Sequence, residues 1–401
     1  MIKITKDILK QQFICVLIFN MLIYCYAASN IEKGTHEETI QNNKKIIGLY
    51  GTSSQNLKKR EIYTWRKKAE QAVVNGLRWL KENQNVDGSW GETRQLITTC
   101  FALEAYLCHG ESPESEVFGT AINRAITYLI NTDKTTLSTF ECAKITQLMS
   151  EVYAITKNDE AKLIAESQIY SLIKTQNNIG GWGQTLIATT ENNTIIDCWG
   201  AYALNSYKLA GLTNNKFDNS WIMAIQGIRT NSNLKTGAFG VLSSDDTSLF
   251  ATSAGVRALN ILGAPKTREY RMGFDYIVQD SNFSWEDYTT FPLEKSLFKY
   301  YFLKETMFEF AVCRDIDKKR IWWDWYSKIQ KTFALKQIVN EDNKTGYWVL
   351  DRKTSKNDSS MMLTVMSILL LESYHILHPH YELMYEPEEK PDNEITVEID
   401  I

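Results

Sequence analysis

Gln84-Asn85-Val86-Asp87-Gly88-Ser89-Trp90-Gly91 has a near copy in Gln176-Asn177-Asn178-Ile179-Gly180-Gly181-Trp182-Gly183. Both stretches carry Gln, three residues, Gly, one residue, Trp, and each follows an amphipathic segment. A turn used twice in the same context marks a repeat protein, in which the period decides the fold. Gly237/Phe239 and Gly346/Trp348 keep the glycine and the aromatic, whereas Gln279 precedes Trp285 with Phe283 in the glycine position. From Trp90 to Trp348 the repeat averages about 52 residues, which suits a two-helix unit.

Working outward from these turns, an amphipathic segment followed by a nearly all-apolar one recurs six times. The pairs are 65–82 with 97–107, 121–130 with 141–155, 165–175 with 195–209, 219–230 with 248–262, 269–279 with 296–312, and 323–340 with 359–377. Met361 to Leu371 is apolar on every side and must be buried on every side. Six such hairpins predict an all-α fold, an (α/α)6 toroid in two concentric rings with the apolar helices inside. Only six prolines in 401 residues agree with long helices.

The net charge of −4, with no Lys/Arg stripe, excludes a nucleic-acid footprint. Lys3, Lys6 and Lys10 precede an apolar run from Phe13 to Ala27 that is too short to span a bilayer, so 1–27 reads as a signal peptide. Secretion, or display in the periplasm or at the cell surface, follows, with no stable membrane span after cleavage. Residues 28–64 read as a polar, poorly ordered leader, 65–380 as the toroid and 381–401 as an acidic tail. Five cysteines remain beyond the signal, none in a Cys-x-x-Cys pair, and they read as buried thiols rather than a disulfide framework.

The turns at 84–90 and 176–182 resemble the QW motifs of squalene-hopene and oxidosqualene cyclases. Their wider group, with protein prenyltransferase β subunits and complement-type thioester domains, is built as α/α toroids. The resemblance covers roughly 65–380 and is nearest to secreted, single-toroid, squalene-cyclase-like proteins. It implies an Asp-x-Asp-Asp acid in a cyclase; here Ser243-Ser244-Asp245-Asp246 retains only the last two aspartates. Asp245 and Asp246 are therefore the candidate protonating acids, with helix capping as the competing role. The zinc site of prenyltransferases is not reproduced, because Asp197 and Cys198 are adjacent and no histidine lies in an inner helix before His375. No metal and no cofactor are expected.

Asp197, Trp199, Tyr202, Tyr300 and Tyr301 are the candidate cavity wall, facing an apolar or polyprenyl ligand or a protein partner. Among charged inner-helix residues, Arg257 is expected to pair with a glutamate, and Glu104, Lys144, Glu305 and Glu372 to line a lumen or meet one another. Three readings follow in order: a binding toroid without cyclase chemistry, a terpene cyclase using Asp245 or Asp246, and a carbohydrate-active (α/α)6 barrel. The last needs two carboxyls facing each other across the lumen within roughly 10 Å.

Overall fold

The computed structural model describes residues 54–372, except 189, 191, 214, 281, 313–315 and 351–357. The expected signal, most of the leader, the tail and His375, His378 and His380 lie outside the described residues. The six hairpins are α1 (Ser54–Glu82) with α2 (Gln95–Cys108), α3 (Gly119–Asn131) with α4 (Thr139–Thr156), and α5 (Asp159–Thr175) with α6 (Thr194–Leu209). They continue as α7 (Phe217–Thr230) with α8 (Leu249–Ile261), α9 (Arg268–Asp280) with α11 (Leu293–Val312) after the one-turn α10 (Trp285–Tyr288), and α12 (Ile316–Lys336) with α13 (Asp358–Leu371).

The inner helices α2, α4, α6, α8, α11 and α13 each pack on the next, and α13 packs back on α2, so the ring is closed. The fold is the all-α, (α/α)6 toroid. Two boundaries differ from the sequence reading. Helix α1 begins at Ser54, in a polar stretch without apolar periodicity. The sixth outer helix stops at Lys336, and Ile338–Asn340 pairs antiparallel with Thr345–Tyr347 as strands β1 and β2.

The repeated turn fastens one hairpin to another. Trp90, Trp182 and Trp348 are fully buried, and each indole N–H donates to a carbonyl near the end of its own outer helix: Leu80, Leu172 and Phe333. The Gln84 amide donates to Gly88 O and to Ala121 O on α3, and Gln176 donates to Gly180 O and Ser220 O on α7. Gly180 has φ +108, and a Cβ there would stand 1.9 Å from Met223 O, so only glycine lets the turn rest on α7. At the closure, Gln337 donates to Ala72 O on α1, and Trp79 stacks on Tyr347 with centroids 5.2 Å apart. Gln337 escaped the sequence pattern because the β1–β2 hairpin separates it from Gly346.

A second contact recurs inside. The aromatic's backbone N–H donates to a side chain on the inner helix: Trp90 to Thr99, Phe239 to Thr252, Trp348 to Thr364 and Trp182 to Asp197. Three hairpins use a threonine hydroxyl where the third uses a carboxyl.

Candidate site at the mouth of the toroid

The N-terminal ends of the inner helices meet around one end of the lumen. Ser138 caps α4 in a capping box with Glu141, and Asn193 caps α6 by accepting from Ile195 and Ile196. These caps place Ser138 and Asn193 beside Arg94 at the start of α2 and Glu294 in the first turn of α11. The four residues, with Gln184 and Val241, form the wall of a cleft of about 410 Å³. Its floor is apolar and largely aromatic: Phe140, Trp199, Phe250 and Phe298 with Ile195 and Ile196. Arg94 and Glu294 form an ion pair across the mouth. A second cleft of about 260 Å³ shares Arg94 and is lined also by Gln95, Tyr128 and Glu141.

Below the floor the lumen is filled. Trp199 packs on Phe298, Tyr301 and Phe302 at centroid distances of 5.4, 5.4 and 4.9 Å, and Phe101 packs on Phe140 and Trp199. Beneath these rings sits a buried polar network. Glu104 accepts from Lys144 at 2.8 Å, from Tyr301 at 2.6 Å and from Gln147 at 3.1 Å. Lys144 is fully buried, with its ammonium 4.2 Å from the Phe101 ring centre. Burial alone would raise the Glu104 pKa, but Lys144, Lys304 and the hydrogen bonds outweigh it and hold the carboxyl lowered.

Gln147 also donates to Glu151 at 3.1 Å, so the two carboxylates face each other across one amide, roughly 6 Å apart at most. Burial, then repulsion from Glu104, pushes Glu151 up to about 7. Arg257 pairs with Glu305 and donates to Tyr202. The Arg257–glutamate pairing agrees with the sequence reading, whereas Gln147, Glu151 and Lys304 were not singled out there. Their signal was available: 144, 147 and 151 share one face of α4, and 301 and 304 one face of α11.

The structure separates the residues expected to line one cavity. Trp199, Tyr202 and Tyr301 are in the lumen cluster, and only Trp199 reaches the cleft. Asp197 points the other way, into the Trp182 turn: its Oδ1 accepts from Trp182 N–H at 2.7 Å and its Oδ2 is buried without a hydrogen bond. Burial raises it to about 8, so it is protonated at neutral pH. Tyr300 also faces away from the lumen, packing on Phe283 and Tyr288 and donating to Asp287. One or two helical positions turn a side chain through 100 to 200 degrees or so, which is why neighbours on α6 and α11 part company.

Asp245 and Asp246 are exposed, in the turn before α8. Asp246 accepts from the Ser243 and Leu242 amides, and Ser248, not an aspartate, caps α8. A protonating acid needs a dry site, and these carboxyls stand in water. Among the described residues no group of three or more His, Cys, Asp or Glu is arranged to hold a metal ion.

No protein-family model matches the chain, and no curated protein matches it. Solved structures share its fold at low identity. An alpha-1,6-mannanase from Salegentibacter sp. HEL1_6 aligns with 78% of this chain and 99% of its own, at 11% identity and TM-score 0.58. A cellobiose 2-epimerase from Spirochaeta thermophila DSM 6192 aligns with 82% and 99%, at 10% identity and TM-score 0.55. A type II terpene cyclase from Scytonema, in complex with geranylgeranyl dihydroxybenzoate, aligns with 79% and 100%, at 13% identity and TM-score 0.51. At these identities the likeness extends to the toroid and no further.

Proposed function

We propose that the protein is a secreted, saccharide-binding toroid whose ligand rests in the mouth cleft against the half-buried Phe250, and that it neither cyclises nor hydrolyses what it binds. The observation that carries this reading is the make-up of the cleft: aromatic and aliphatic side chains, Phe250 among them, together with the hydrogen-bonding groups of Arg94, Ser138, Gln184 and Asn193. A pyranose has C–H faces that lie on aromatic rings and a fringe of hydroxyls that pair with groups such as Arg94, Ser138, Gln184 and Asn193. A polyprenyl chain would instead need a long apolar cavity, and the lumen below Trp199 is packed with rings over a buried ion pair.

Hydrolysis is disfavoured by the state of the carboxyls. Glu141 is the one carboxyl lining the smaller cleft and Glu294 the one lining the larger, while the facing pair Glu104 and Glu151 lines neither. Glycoside hydrolysis needs one carboxyl on each side of the scissile bond, both reaching the sugar. The proposal includes cleavage of the 1–27 signal, a leader to 64, a toroid over 65–380 and a solvated tail over 381–401; among the described residues no helix is long and apolar enough to cross a membrane.

Calorimetric titration of the secreted chain against a panel of neutral saccharides tests the reading. Saturable binding that weakens about tenfold in Phe250→Ala supports it, since one aromatic platform is worth roughly 1.5 kcal/mol. Absence of binding to every saccharide, or conversion of squalene or another polyprene by the chain, sinks it.

A further inference from the structure

We infer that the ligand is a linear oligosaccharide lying across both mouth clefts, and that Arg94 is the contact shared between its units. This rests on the saccharide reading above and goes beyond it in naming an extended chain rather than a single sugar. Arg94 lines both clefts, and the two walls are joined by one hydrogen-bonded pair, with Ser138 on the larger cleft and Glu141 on the smaller. Each cleft is lined by a half-buried aromatic side chain: Phe250 in the larger and Tyr128 in the smaller.

A monosaccharide occupies one cleft and leaves the other to water. A chain that continues past Arg94 meets a second ring and the polar groups of Gln95 and Glu141. Arg94 is half-exposed and, among the described residues, its guanidinium pairs with the similarly exposed Glu294, so it can turn toward a ring oxygen or hydroxyl between the units without uncovering a buried charge. Linking two sites through one ligand converts the second contact into an intramolecular one, so affinity must rise with chain length until both clefts are filled and then level off.

The test is a titration of the full chain with linear gluco- and manno-oligosaccharides from monosaccharide to hexasaccharide. The inference expects affinity to rise about tenfold or more between monosaccharide and trisaccharide, then to plateau, with the trisaccharide-to-monosaccharide ratio falling toward one in Tyr128→Ala. Arg94→Gln, which alters only an exposed side chain, must lower the same ratio; it keeps the inference testable should Tyr128→Ala fail to fold. Equal affinity for all lengths, or a ratio that survives in Arg94→Gln, overturns the two-cleft ligand while leaving the single-cleft reading standing. Failure of every saccharide to bind removes both.

Discussion

Replacing Asp197 with threonine should stabilise the protein at neutral pH, and the gain should grow with pH. In the other three turns the same backbone donor meets Thr99, Thr252 or Thr364, so the substitution restores a hydroxyl acceptor that the fold already uses. Asp197 is fully buried, has one oxygen unpartnered, and is raised from 3.8 to about 8 by burial. A carboxyl whose folded pKa is raised contributes stability that is whole below its unfolded pKa and is lost as pH climbs through the folded one. The window is therefore from about pH 4 to about pH 8. At pH 7 the accumulated loss is roughly 4 kcal/mol, from about 1.4 kcal/mol per pH unit over some three units. Urea unfolding of wild type and Asp197→Thr at pH 5 and pH 7 should show the gap between them widening by about 3 kcal/mol. A gap that does not change with pH would mean that Asp197 is ionised in the folded protein, and the reasoning fails.

Gly180→Ala should destabilise the chain by about 3 kcal/mol or more, since the φ of +108 and the Met223 carbonyl leave no room for a Cβ; a thermal midpoint unchanged from wild type would refute this. Lys144→Met alone should cost about 3 to 5 kcal/mol by leaving Glu104 buried and unpaired, whereas Lys144→Met with Glu104→Gln should recover most of the loss. Equal destabilisation in the single and double variants, read by denaturant midpoints, would count against a pair that compensates its own charge. Gln337→Ala should cost about 1 to 2 kcal/mol and should raise hydrogen exchange at the amides of α1 and α12, because its amide is one of the bonds closing the ring; unaltered exchange at that seam would contradict the role.

The six hairpins were legible in the sequence because two signals coincide. Apolar periodicity distinguishes an amphipathic outer helix from a helix apolar all round, and the glycine-aromatic turns mark where one passes to the other. The role of Gln84, Gly88 and Trp90 as a fastening between hairpins likewise follows from what amide, glycine and indole can do. The exceptions are instructive. Gln337 was hidden by a β-hairpin inserted between it and Gly346, and the start of α1 at Ser54 was hidden by a polar run whose composition carries no helical stripe.

The arrangement of the site was not legible, for a reason inherent in the fold. A helix buried on every side has no polar face, so its sequence does not say which residues look into the lumen and which look back toward the outer ring. Asp197 and Trp199 stand two positions apart on α6, yet one is sealed against the Trp182 turn and the other floors the cleft. Tyr300 and Tyr301 are adjacent on α11, yet one reaches Asp287 outside and the other Glu104 inside. The sequence by itself determined the number of hairpins, their order and the turns that fasten them, since these are local patterns in one chain. Only the tertiary structure decided that the lumen is filled with rings over a Lys144–Glu104 pair and that a cleft opens at the mouth, because both depend on the rotation of six inner helices against one another.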